Sequence, residues 1–190
     1  RELYEVQYPA PGNPDLAGEV KSLIRKADTG LDQSWGLDHG CWSVLRRMYP
    51  AANIPVIQLS LNYSQPARFH YDIARELAPL RNKGVLIIGS GNMVHNLSLV
   101  SWEYMNKPGF AFEWAAEAST KMKKFILSDD HASLIDYRSQ GREFELAIPT
   151  PEHYLPLIFV LGLKDKDETV TLFNDKAVAG SLTMTSVKIG

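Results

Sequence analysis

The chain has 190 residues, room for one well-buried domain and too few for two generous ones. Apolar residues make up 45% and charged residues 22%, and 20 basic against 22 acidic side chains leave a net charge of −2. That balance, with no like-charge block beyond Lys121-Met122-Lys123-Lys124, argues against nucleic-acid capture, and the longest apolar stretch, Leu155 to Leu163, is interrupted by Pro156 and Gly162 and too short for a bilayer.

Taken in chain order, Pro14 to Ala27 sets Leu16, Val20, Leu23 and Ile24 at helical spacing, with Asn13 as N-cap and Pro14 at the first helical position. Trp42 to Tyr49 reads as a short helix and Ile54 to Ser60 as a strand. Pro66 then opens a helix with Phe69, Ile73, Leu77 and Leu80 on one face. Gly84 to Ile88 is nearly continuous in apolar residues, the pattern of a strand buried on both faces of a parallel sheet, so strand, helix and strand predict a right-handed βαβ unit. Helices are predicted over Ala111 to Ile126, Ser128 to Tyr137 and Glu152 to Leu163, the last started by Thr150-Pro151. Thr169 to Phe173 and Ser181 to Ile189 alternate like strands. The expectation is one α/β domain over residues 1–190, a mixed and mostly parallel sheet flanked by helices.

The run Gly89-Ser90-Gly91-Asn92-Met93-Val94-His95-Asn96 follows the second apolar strand. As a dinucleotide cradle it fails: the third glycine position is Val94, and Glu103 comes too early for a ribose contact, which needs an acid about 20 positions on. No Gly-Lys-Ser/Thr ending makes a Walker loop either. What remains is His95 at the carboxyl end of a strand, where open α/β sheets bind ligands; capping of the next element by Asn92 and His95 is the plainer alternative.

Histidines stand at 39, 70, 95, 131 and 153. His70 lies beside an inner helical position and reads as a satisfied or solvated histidine, and His131 follows Asp129-Asp130 as a helix-start residue. His39, in Trp35-Gly36-Leu37-Asp38-His39-Gly40, is either a surface turn residue or functional. In Thr150-Pro151-Glu152-His153 the histidine falls in a predicted first helical turn, whose dipole disfavours imidazolium and favours the neutral form a metal ligand needs. Glu152 there either stabilises the helix start or is a carboxylate ligand. His39, His95 and His153 thus share turns shaped by glycine or proline, and a folded cluster of them is a reasonable expectation. Cys41, the only cysteine, allows no internal disulfide, suits a reducing, cytoplasmic compartment, and carries no catalytic-thiol signature.

Together and in order, Trp35-Gly36-Leu37-Asp38-His39-Gly40, Ile54-Pro55-Val56-Ile57-Gln58-Leu59-Ser60, Gly89 to Asn96 and Pro149-Thr150-Pro151-Glu152-His153-Tyr154-Leu155-Pro156-Leu157 resemble the DOPA-type extradiol dioxygenases, class III ring-cleavage enzymes related to the protocatechuate dioxygenase catalytic subunit. The likeness runs from Tyr8 to the carboxyl end. It implies a single α/β domain, a non-haem Fe(II) centre with Zn(II) able to replace the iron, and cleavage of a small aromatic diol by O2 in a monomer or small homo-oligomer. By position, His95 matches the family's acid–base histidine, which in bacterial members also reaches the metal. His153 matches a metal ligand, with Glu152 its substitute, and His39 a second histidine that assists substrate or oxygen binding.

The family pattern has two further metal histidines upstream of Tyr8, and this sequence, which opens at Arg1 without a methionine, contains neither. It reads as the middle of a longer protein that lacks the N-terminal third of the pattern. The competing classes are a zinc-dependent hydrolase on the same site and a noncatalytic remnant.

Overall fold

A computed structural model describes residues 5–107 and 109–190, so the opening residues 1–4 lie outside it. The chain divides into two units, Arg1–Ser60 and Leu61–Gly190. In the first, α1 (Pro14–Leu23) begins as the sequence predicts: Asn13 Oδ1 accepts the Leu16 N–H at 3.0 Å and Pro14 fills the first turn. Helix α2 (His39–Met48) starts three residues before the predicted Trp42, because Asp38 supplies the cap and accepts the Cys41 N–H at 2.8 Å.

The second unit carries α3 (Ala67–Leu77), α4 (Glu113–Leu127), α5 (His131–Ile135), α6 (Arg142–Ala147) and α7 (Leu155–Gly162). A 3-10 helix, Ala78–Lys83, extends α3 and is stopped by Gly84 in the left-handed region at φ +76°. Its strands form two antiparallel pairs. β1 (Val170–Phe173) pairs with β4 (Ser186–Ile189), and β2 (Ala177–Val178) pairs with β3 (Leu182–Thr183).

Helices and strands of the α/β class are thus present, but a mostly parallel sheet is not formed among the described residues. Neither Ile54 to Ser60 nor Gly84 to Ile88, both expected as strands of a βαβ unit, forms a ladder: Ile54 lies in a bend and Gly84 caps the preceding 3-10 helix. The reason is visible in the second run: burial alternates, with Leu86 62% and Ile88 42% exposed, so it is not enclosed on both faces. A run of apolar side chains specifies an extended backbone, whereas a ladder needs a second strand alongside. The predicted inner stripe of α3 is also shifted. Ala67, His70, Ile73, Ala74 and Leu77 are buried, whereas Phe69 is only half-buried.

The core of this unit joins Ala115, Ala118, Met122 and Ile126 of α4 to Phe144 and Ala147 of α6 and to Leu155, Ile158 and Leu161 of α7, all at 1% exposure or less. The α4 positions follow the helical repeat, whereas α7 is apolar all round, the composition of a helix enclosed by its neighbours. Each such Leu or Ile contributes about 1.5–3 kcal/mol by leaving water. Tyr154 is enclosed with them; burial pushes its phenol far up, and the retained O–H donates to the Leu134 carbonyl at 3.0 Å. No helix among the described residues is long and apolar enough to cross a membrane.

Two close backbone approaches place the segment that follows Ile88. A Cβ on Gly89 would lie 2.6 Å from the Pro156 carbonyl oxygen, and one on Gly91 2.2 Å from that of His153. Beyond them, β3 and its approach hold residues 92–96 on the other side. The Thr183 N–H donates to the Val94 carbonyl (3.1 Å), the Asn96 N–H to the Ser181 carbonyl (3.2 Å), and Asn92 Nδ2 to the Thr183 carbonyl (2.7 Å). Gly89 therefore serves contact with α7 and Gly91 contact with the turn before it, and only a residue without a side chain fits at either.

Gly91→Ala should lower stability by about 1–3 kcal/mol through overpacking, seen as a reduced urea midpoint at constant m-value. Gly12→Ala, where nothing lies within 4 Å of the added carbon, is the control and should leave the midpoint unchanged. A pH dependence follows from two enclosed histidines. Burial lowers the pKa of His70, whose Nε2 lies 3.0 Å from the Asn62 carbonyl oxygen, and of His131, where Asp129 opposes the effect without overcoming it. The unfolded chain, titrating near 6.5, therefore binds more protons than the folded one in mildly acid solution. Their contribution to stability is complete above about pH 6.5 and is lost as the pH falls below it, so urea midpoints should decrease from about pH 7.5 to about pH 5.

A stacked histidine pair as candidate active site

His95 stands at the end of the segment that follows Ile88, its backbone fixed on two sides. Its N–H donates to the Ala147 carbonyl at 2.9 Å, and it forms an isolated antiparallel bridge with Leu182. His153 sits in the turn that precedes α7, not in the first helical turn as predicted. Pro151 O accepts both the Tyr154 and Leu155 N–H groups at 2.9 Å, and Pro156, with no N–H to offer, occupies the second helical position. Thr150 was expected to cap the backbone; its hydroxyl instead donates to Glu152 Oε1 at 2.7 Å.

The two imidazoles lie face to face, ring centroids 3.7 Å apart and planes 11° from parallel. The Asn92 N–H donates to the His153 carbonyl at 2.8 Å, so the same backbone contact that demands Gly91 also sets the spacing of the rings. At the far edge of the pair, His153 Nδ1 is shielded from solvent, and Glu152 Oε1 faces it at 3.4 Å.

Burial first, and then the prospect of a positive His153 against its face, hold the His95 imidazolium below its ordinary range; Glu152 opposes this and loses. The stack therefore favours a neutral His95 around neutral pH. Burial works against the Glu152 carboxylate, but the Thr150 hydroxyl, a backbone N–H and His153 outweigh it and lower its pKa.

The pair thus presents a neutral imidazole able to take up or return a proton. Its fit to a metal ion is poorer. Lone pairs of ring nitrogens lie in the ring planes, and two stacked, nearly parallel rings with centroids 3.7 Å apart do not bring them to one point. Among the described residues no group of three or more His, Cys, Asp and Glu side chains surrounds a common centre. In this arrangement the described donors do not complete a metal site.

The other histidines are placed apart from this pair or in the other unit. His39 is the exposed first residue of α2, in the first unit. Its neighbour Asp38 is committed to the Cys41 N–H and to Gln58, whose Nε2 donates to Asp38 Oδ2 at 2.9 Å. Burial, and then Asp38, raise the Cys41 thiol pKa, which disfavours the thiolate and any Cys41–His39 dyad. His70 is a satisfied core histidine, as one of the two sequence readings had it, and His131 Nδ1 lies 3.0 Å from the Tyr71 hydroxyl oxygen. The first unit also holds an open cleft of about 390 Å³ with Tyr8, Trp35, Trp42 and Val56 in its walls, Trp35 and Val56 coming from two of the sequence motifs.

Asn92, Thr150 and Thr183 position the pair and were missed as site residues. The signal for Thr150 was its spacing of two from Glu152, read as a helix cap although it also lets the two side chains meet.

Residues 1–187 match the family model of the catalytic LigB subunit of aromatic ring-opening dioxygenase. The chain is 41% identical to the 4,5-DOPA dioxygenase extradiol of Escherichia coli K12, with 99% of this chain and 69% of that protein covered. It is 35% identical to the 4,5-DOPA dioxygenase extradiol of Mirabilis jalapa, with 90% and 64% covered. The chain therefore spans about two thirds of the length of these relatives. A crystal structure of an uncharacterized protein from Escherichia coli K12 superposes with a TM-score of 0.88 at 41% identity, over 99% of this chain and 77% of that one. Two glycine-enforced contacts, a stacked histidine pair and this breadth of likeness agree with the family resemblance of the sequence motifs: the chain belongs to the LigB family of aromatic ring-opening dioxygenases, which are oxidoreductases.

Proposed function

We propose that residues 1–190 belong to the catalytic domain of an extradiol dioxygenase that opens a catechol-type ring with O2, its substrate a small DOPA-like diol. The observation that carries this reading is the His95–His153 stack, a half-buried imidazole held by backbone contacts in a chain whose relatives are named for that reaction. His95 is the acid–base group. It takes a proton from a catechol hydroxyl and returns it during ring opening, a task that suits an imidazole neutral near pH 7. Its backbone hydrogen bond to Ala147 and the bridge to Leu182 keep the ring aimed while the proton moves. Stacking on His153 makes a lasting charge on His95 unfavourable, which promotes return of the proton.

LigB dioxygenases are metal-dependent. The ion we assign is Fe(II), which supplies redox chemistry towards O2 when bound; Zn(II) in its place lacks that chemistry. Of the described residues, His153 and His95 are the ones we assign to hold it; as stacked they do not complete its site, and Glu152 faces the Nδ1 edge of His153. His39 is assigned to assist substrate or oxygen. A cytoplasmic monomer or small homo-oligomer, acting on small molecules rather than on nucleic acid or a membrane, completes the reading; the free Cys41 supports the reducing compartment.

Oxygen uptake by the purified, Fe(II)-supplemented protein with a DOPA-type catechol tests both levels. The wild type should consume oxygen and form a ring-opened product, and its failure to do so with any catechol would overturn the activity. His95→Ala should lower kcat by about 10²–10⁴-fold, the usual span of a lost general acid–base. Turnover retained in that variant would remove His95 from the role.

A further inference from the structure

We propose that Glu152, itself held by Thr150, is the positioning residue of His153: it fixes the imidazole in the tautomer that carries its proton on Nδ1 and leaves the Nε2 lone pair free. The inference deepens the reading above and rests on it for its functional meaning, but its structural content stands on the local geometry.

A neutral imidazole carries one N–H and one lone pair. Nδ1 of His153 is buried, with no other hydrogen-bond partner among the described residues, and Glu152 Oε1 stands 3.4 Å from it. A lone pair on Nδ1 would face a carboxylate oxygen across a gap too short to admit a water between them. A proton on Nδ1 turns the same contact into an attraction. The acceptor is also fixed: Oε1 receives the Thr150 hydroxyl at 2.7 Å, which orients a side chain otherwise 46% exposed. Meanwhile the His153 carbonyl is tied to Asn92 and its ring face rests on His95, so rotation of the ring away from Glu152 would break the stack.

Thr150, Glu152 and His153 thus form a short relay that sets which nitrogen can act. A histidine that binds an ion or accepts a proton through one nitrogen depends on what the other one donates to, and loss of such a partner usually costs 10–100-fold in affinity or activity. Neither Thr150 nor Glu152 touches substrate in this scheme. Both act through His153.

Long-range ¹H–¹⁵N spectra of the histidine rings read the tautomer directly and need neither metal nor turnover. Taken at about pH 8, above the ordinary histidine range, the wild-type His153 should show the Nδ1–H pattern. Glu152→Ala should shift it to Nε2–H, Glu152→Gln should keep it because the amide oxygen still accepts, and Thr150→Val should give a mixture. An Nε2–H pattern in the wild type, or no shift in Glu152→Ala with its other amide resonances unmoved, would overturn the proposal. Oxygen uptake separates this from the activity itself. In an active protein Glu152→Ala should lose about 10–100-fold and Glu152→Gln should recover part of it. A protein with the Nδ1–H pattern and no oxygen uptake supports the relay while the dioxygenase reading fails.

Discussion

At Gly91 the backbone passes so close to the turn before α7 that an added Cβ would sit 2.2 Å from the His153 carbonyl oxygen. A contact this short tolerates no side chain, and it locks two parts of the chain that lie more than sixty residues apart in sequence. The Asn92 N–H completes it with a hydrogen bond to that carbonyl. From there the consequences are geometric. Met93 and Val94 enter the core, the Thr183 and Ser181 backbones bind the far side of the segment, and His95 emerges with its ring against that of His153. Remove the approach at Gly91 and His95 keeps its own backbone anchors at Ala147 and Leu182, but the His153 turn is no longer held against it.

The electrostatics follow from the same packing. Two imidazoles at stacking distance cannot both be cations without mutual repulsion, and partial burial removes the water that would screen them. His95 is thereby kept neutral, while the negative charge of the region sits at the outer edge on Glu152. The arrangement separates proton exchange at the His95 ring from orientation at the His153 edge. Placing a carboxylate against His95 itself would have worked against this, because it would favour the imidazolium.

Much of this was legible in the sequence, and the parts that were not share a cause. Asn13 and Pro14 declared the start of α1, and the spacing of Ala115, Ala118, Met122, Phe125 and Ile126 declared the inner face of α4, on which Phe125 alone of the five is only half-buried, because caps and helical stripes are local codes. The glycines of Gly89-Ser90-Gly91 were visible as a turn, but what they approach was not, since Pro156 and His153 lie far along the chain. Gly84 to Ile88 looked like an interior strand because four apolar residues do not say how many faces will be covered. Helix α6 was missed: Arg142–Ala147 is too short for periodicity to register, with Gly141 at φ +124° just before it. Histidines 95 and 153 were singled out by their turns and by family resemblance. Their stacking, and the turn of Thr150 towards Glu152 and away from the backbone, are tertiary facts that spacing does not encode.

Fixed backbone and adjustable rings make different demands on a ligand. Separating a stacked aromatic pair costs about 0.5–1.5 kcal/mol, an amount that a modest new interaction recovers. Moving the Gly91–His153 contact is another matter, because the His153 turn leads directly into α7, whose Leu155, Ile158 and Leu161 are among the most enclosed residues of the unit. A molecule that needs both imidazole nitrogens can therefore part the rings at small expense, but it cannot move their Cα positions without disturbing the core. The polypeptide specifies where the two histidines are anchored, and leaves the last ångström of their geometry to whatever binds between them.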